Sequence, residues 1–178
     1  SSIEQQTGSP DNALLGLDFK WNAKKGLSFY GQFILDELIV GELKSGKGWW
    51  GNKYAYQLGG KYYDAFKIQH LDLQMEYNYG RPFTYSHESI FTNYTQYRQP
   101  LAHPLGANFK EMIFIARYQP LKKVYLTAKV IRSNYGTDPV GENFGSDVLK
   151  SYNSRIDNVR SDTDYGYNTG DGISNNLL

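Results

Sequence analysis

The chain has no cysteine and only six prolines in 178 residues. A disulfide framework, a thiolate metal site and a cysteine nucleophile are therefore excluded. Nor is there any run of the ~18 apolar residues that a membrane-spanning helix requires; the longest wholly apolar stretch lies at about 112–116. An excess of either charge is missing as well, with 19 Lys and Arg against 18 Asp and Glu. Without a basic field, nucleic acid is not an expected partner. Residues 1–10 are polar and lack the apolar h-region of a signal peptide. What the chain does have is aromatic residues and glycine: 16 Tyr, 9 Phe, 3 Trp and 18 Gly. That content, at a net charge near zero, argues against wholesale disorder. The length is that of one ordinary domain.

Apolar residues recur with period two in six stretches, the signature of strands with two unlike faces. They predict strands at 15–21, 27–36, 53–63, 70–79, 111–118 and 124–131. The stretches between them alternate in length. Residues 22–26, 64–69 and 119–123 are tight connections, whereas 37–52, 80–110 and 132–178 are long. Soluble β domains rarely carry so long a loop without a functional reason. Short turns at one end and long loops at the other are the habit of antiparallel outer-membrane barrels.

The two faces of these strands differ sharply. Leu15, Leu17, Phe19 and Trp21 share a parity with Phe29, Phe33, Tyr54, Tyr56, Leu58, Tyr62, Leu73, Met75, Tyr77, Tyr79, Met112, Phe114, Tyr118, Leu126 and Val130, and no charge falls on it. The opposite parity carries Asp18, Lys20, Asp36, Lys53, Lys61, Asp72, Glu76, Glu111, Arg117 and Lys129. A soluble sheet with one buried face would produce a similar contrast. The positions of Tyr and Trp separate the two cases. Trp21, Tyr62 and Tyr118 sit beside the short turns, Tyr54, Tyr56, Tyr77 and Tyr79 beside the long loops. Two bands of amphipathic rings flanking an aliphatic middle match the girdles of a membrane barrel. The expected fold is therefore all-β, an antiparallel transmembrane barrel. Six strands are too few to close one, so residues 1–178 are expected to form a single segment of a larger barrel, or to be completed by a partner's strands.

The long loops carry the most distinctive text. One reads Arg81-Pro82-Phe83-Thr84-Tyr85-Ser86-His87, followed by the stretch from Asn93 through Tyr94, Tyr97, Arg98 and His103 to Phe109. Another reads Gly141-Glu142-Asn143-Phe144-Gly145-Ser146-Asp147, with Asp164-Tyr165-Gly166 after it. These strings resemble the outer-membrane capsule-assembly family Wzi in its Bacteroidota form, some members of which are associated with gliding motility. The resemblance implies a closed barrel in the bacterial outer membrane that binds surface polysaccharide and helps hold capsule on the cell.

The loop residues themselves also point toward sugar. Flat aromatic faces suit the C–H side of a sugar ring, and Arg offers a fork of donors for hydroxyls or uronate carboxylates. The candidate carbohydrate-binding residues are Trp49, Trp50, Arg81, Tyr85, Tyr94, Tyr97, Arg98 and His103. The competing role is structural, since long outer loops pack on themselves with Tyr and Arg and plug the barrel interior. His70, His87 and His103 lack the spacing of a metal site. Residues 161–166 with Asp171-Gly172 fall short of a calcium loop, which needs a closing Glu. Asp72 and Glu76 lie ~13 Å apart along a strand at ~3.3 Å per residue, beyond the ~5–9.5 Å that glycoside hydrolysis uses.

The expected function is thus non-enzymatic and lectin-like, with no cofactor and no metal: the external loops bind or anchor capsular polysaccharide while the strands contact outer-membrane lipid. The alternative is a structural subunit of an envelope machine, for gliding or secretion, gripping other envelope proteins. A passive channel is a third option, weakened by the plugging loop.

Overall fold

The computed structural model describes residues 14–88, 95–96, 99–100, 103–155, 167–170 and 173–177. The strands are β1 (Leu15–Lys24), β2 (Leu27–Glu37), β3 (Lys53–Tyr62), β4 (Leu71–Gly80), β5 (Thr95–Gln96), β6 (Gln99–Pro100), β7 (Phe109–Leu121), β8 (Val124–Thr137) and β9 (Ile173–Leu177). Seven of them form one sheet in the order β1-β2-β3-β4-β7-β8-β9, and β5 and β6 pair separately. Every pairing is antiparallel. The fold is all-β; among the described residues it has one short helix, α1 (Val40–Ser45), and two 3-10 turns at Ala65–Lys67 and Tyr152–Ser154. The sheet is open, with β1 and β9 as its edges.

All six anticipated strands are present, and three differences stand out. The turn after β7 is only residues 122–123, because β7 continues past a register shift to Leu121, opposite Val124. β8 continues to Thr137. β9 lies where a loop and no further strand were expected. Its Ile-Ser-Asn-Asn-Leu text has weak β propensity, and it is a strand because it pairs with the extended part of β8, Ser133 opposite Leu177 and Thr137 opposite Ile173. Likewise α1 sits inside the 37–52 loop. Asn52 Oδ1 accepts from the Ile39 N–H just before the helix, and Gly46 closes it in the left-handed region.

Register turns the parity contrast into rows across the sheet. On one face Trp21, Phe29, Gly60, Met75, Phe114 and Val130 lie side by side. On the other, Asp18, Gln32, Gln57, Asn78, Glu111 and Ser133 form a wholly polar row. The longer strands bring charges onto the apolar face: Lys110 and Arg132 toward the loop end, and Lys24, opposite Leu27, at the short-turn end. No second layer covers the apolar face among the described residues: Trp21 is 62% exposed, Met75 58% and Val130 58%.

The polar face is internally bonded instead. The Tyr30 hydroxyl donates to Glu76 Oε2 (2.7 Å) and accepts from Gln74 Nε2 (2.9 Å). Asn78 Nδ2 donates to Glu76 Oε1 and Glu111 Oε2, each at 3.1 Å, and Ser133 Oγ donates to Glu111 Oε1 at 3.0 Å. The buried apolar residues, Ala65 apart, gather at the loop end, where the long loops fold over the polar face as a cap. Ala55, on the polar face, packs there with Tyr85, Ala107 and Val148, and Ile34 lies against them.

Candidate functional site

The cap is assembled from three loops that are distant in sequence. Phe83, fully buried, stands at its centre with Trp49, Trp50 and Tyr167. Its ring meets Tyr167 edge-on at 5.0 Å and Trp50 edge-on at 6.4 Å. The Phe83 N–H donates to the Gly145 carbonyl at 2.9 Å. Gly145 has φ +74, and a Cβ there would overlap the Phe83 backbone, so only glycine serves. The two loop strings 81–87 and 141–147 therefore pack directly on each other.

Polar groups hold the loops in place. Arg81 is 8% exposed and donates from Nε to the Asn52 carbonyl and from Nη2 to the carbonyls of Trp49 and Tyr167, at 3.1–3.2 Å. Asn108, fully buried, donates from Nδ2 to the Phe144 carbonyl and accepts from the Gly170 N–H through Oδ1. Asn143 donates to the Ser151 carbonyl and to Ser154 Oγ, and its Oδ1 accepts from the Gly145 N–H. Such buried amides are stabilising only because they are satisfied.

Cations thread the same cluster. Lys53 is 1% exposed; its Nζ donates to the Ser86 carbonyl (3.1 Å), lies 3.3 Å from Glu37 Oε2 and stands 4.5 Å from the centre of the Tyr152 ring. The Arg155 guanidinium sits 3.9 Å from the Trp50 ring centre, a close cation–π contact. Burial raises the Tyr152 hydroxyl above its ordinary pKa, with Glu88 the next cause. His87 lies 3.5 Å from Asp36 Oδ1. Even so, burial first and the Lys53 charge second bring its imidazole down to about 4, so it is neutral at pH 7.

The anticipated carbohydrate residues thus divide. Trp49 and Trp50 are core of the cap, 6% and 8% exposed, and do not present a free stacking platform. Arg81 is a staple between loops, its donors committed to backbone carbonyls. Tyr85 is 3% exposed, its N–H donating to Asp36 Oδ2. His103 stands at a rim, stacked on Phe109 at 4.4 Å with Nε2 3.3 Å from Glu111 Oε2. Tyr94, Tyr97 and Arg98 lie outside the described residues, as do 161–166 and 171–172. His70 is at the opposite, short-turn end, its N–H bonded to Asp64 Oδ1. Among the described residues no three metal-ligating side chains come together.

Sequence reasoning passed over Lys53, Asn108, Asn143 and Arg155. Lys53 was visible only as one more charge on the polar parity. For Asn143 and Gly145 the signal was the Gly141–Asp147 string itself, which carried no hint of its contact with Phe83.

Where the cap meets the polar face there is a recess of about 240 Å³. Gln32, Gln57 and Asn78 form its floor, Ile34, Tyr85 and Phe109 an apolar wall, and His103 stands at its edge. Compared with protein-family models, with curated proteins and with solved structures, the chain has no match.

Proposed function

We propose that this chain is a wall segment of an outer-membrane β-barrel whose loop cap binds or anchors surface polysaccharide, without performing chemistry. The observation that carries the proposal is the exposed, uncharged face. Trp21, Met75, Phe114 and Val130 lie in one row with no described residue packed over them. Leaving so much apolar surface in water is unfavourable by ~25 cal/mol per Å², and contiguous exposure of this kind marks an interaction surface. Hydrocarbon is the environment that suits it. Tyr54 to Tyr62 spans eight residues, ~26 Å at ~3.3 Å each. Tilted by ~40°, that is ~20 Å of height, close to the ~25 Å apolar band of outer-membrane barrels. Lys110 lies in the row of Tyr56 and Tyr79 and Arg132 in that of Leu58 and Tyr77, both in the half of the band nearer the loops. Six or seven strands do not close such a barrel, so further strands pair with β1 and β9.

The cap supports the polysaccharide half of the proposal by its position over the polar face, which in a barrel is the inner one. It also argues against an open channel. The resemblance to Wzi-type capsule proteins rests on the strings 81–87, 93–109, 141–147 and 164–166, of which the first and third meet at Phe83 and Gly145.

The experiment is removal of residues 138–155 in favour of a short Gly/Ser linker. Cells should lose surface polysaccharide into the medium while the protein stays in the outer-membrane fraction. Undiminished retention would overturn the polysaccharide assignment.

A second function, a structural subunit of an envelope machine, is favoured by one feature. Ile39, just before α1, and Val40 and Leu43 on it are 41–54% exposed, outside the strand wall where lipid does not account for them. Replacing all three with Ser should release a protein partner on detergent extraction if that function holds, and leave the species unchanged if it does not.

A further inference from the structure

The recess between cap and sheet has a composition that selects its ligand. Its floor is the amide row Gln32, Gln57 and Asn78, contributed by adjacent strands in direct register and so spaced ~4.8 Å apart at the backbone. Asn78 is committed to Glu76 and Glu111. Gln32 and Gln57 make no side-chain hydrogen bond to any described residue and line the recess. Each amide offers two donors and an acceptor with two lone pairs, the complement of a hydroxyl group that both gives and takes. Beside the amides on the same sheet face, one row nearer the loops, stand Ile34 and Phe109, and Tyr85 of the cap adds a further apolar side. Apolar lining with a few fixed polar groups is the general form of a small-molecule site. At about 240 Å³ the space is below the ~300–1,000 Å³ of drug-sized pockets, and holds one ring unit.

Charge decides the class of ring. Neither Lys nor Arg lines the recess. The ionised groups bonded to its floor, through Asn78, are the carboxylates of Glu111 and Glu76, and the Glu111 Oε2 also lies 3.3 Å from His103. A uronate or other acidic sugar placed here would bring a carboxylate toward two others with no cation to offset it, and like charges in a partly dry site repel strongly.

We infer that the recess is a binding subsite for one uncharged, hydroxyl-bearing sugar unit of a glycan, held by Gln32 and Gln57 and excluding acidic sugars. The inference rests on the polysaccharide-binding proposal and assigns it a site distinct from the buried Trp49–Trp50 pair.

The test uses the protein in mild detergent, run by affinity electrophoresis through gels containing neutral polymers (dextran, galactomannan, xylan) or acidic ones (alginate, polygalacturonate). At least one neutral polymer should retard the protein and neither acidic polymer should. Gln57→Ala and Gln32→Ala should each weaken retardation about tenfold, the effect of one lost hydrogen bond. Amide-exchange protection of the cap, measured alongside, should stay unchanged and so exclude a folding defect. Gln57→Lys should admit the acidic polymers. Retardation by alginate or polygalacturonate in the parent, or neutral binding insensitive to both alanine variants, would overturn the subsite while leaving polysaccharide binding intact. Retardation by none of the five would overturn the subsite and count against the polysaccharide proposal too.

Discussion

The Tyr30 hydroxyl on β2 reaches over β3 to donate to Glu76 Oε2 on β4, at 2.7 Å. It can do so because the residue between them in the row is Gly59, where a Cβ would overlap the Tyr30 ring. Two strands that are not neighbours are thus tied on the polar face by a glycine window. Gly59→Ala should push the ring aside and cost about 1–3 kcal/mol, the usual penalty of overpacking. Tyr30→Phe, which keeps the ring and removes the donor, should cost about 1–2 kcal/mol. Unfolding midpoints of the two single variants and the double variant check this. If both changes act through one bond, the double variant loses less than the sum.

Arg81 belongs to the cap and not to the sheet. Arg81→Ala removes donors from three buried carbonyls and should loosen the cap by on the order of 3 kcal/mol. Hydrogen exchange should rise at 49–52, 83–87 and 143–145 and stay unchanged in β3 and β4. Equal loss of protection in the strands would show that the cap is not a separate cooperative unit.

Acid should open the cap through His87. An unfolded imidazole titrates near ~6.5 and the folded one at about 4. Between those values the unfolded cap binds more protons, so stability falls as pH drops through that window and is full above it. The thermal unfolding midpoint of the cap should therefore fall from pH 6.5 to 4, and His87→Gln should flatten the dependence. An unaltered profile in that variant would exclude His87 as the titrating group.

The two faces of the sheet should answer oppositely to charge. Met75→Lys, at the centre of the apolar row, should cost ~2–4 kcal/mol of insertion, as a midplane Lys does in outer-membrane barrels. Gln57→Lys, on the polar face three residues along β3 from Gly60 of that row, should be tolerated. Levels of folded protein in the membrane fraction distinguish them, and equal tolerance of both would mean that the apolar face does not meet lipid.

The strands were legible because alternation is local: Leu15 to Trp21 or Leu71 to Tyr79 can be read without knowing any partner. β9 was not legible, because Ile173–Leu177 takes its conformation from β8 and not from its own residues. The cap was harder still. Trp49, Trp50 and Arg81 have the residue types of a sugar site and also those of a loop core. Only the long-range meetings of Phe83 with Gly145 and Arg81 with Tyr167 decide between packing and exposure. The amide row was hidden for a similar reason. Gln32, Gln57 and Asn78 become neighbours through register, which depends on the turns between strands.

In the proposed barrel the uncharged face of the sheet touches lipid hydrocarbon, and Trp21 reports on that contact most directly. The protein should be reconstituted in bilayers containing brominated lipid, alongside its Trp21→Phe variant. Trp21 stands in the apolar row, 62% exposed, whereas Trp49 and Trp50 are buried in the cap. The account predicts strong quenching in the parent protein that disappears in the variant. Emission unaffected by bromine in both, with the protein recovered in buffer without detergent, would contradict it.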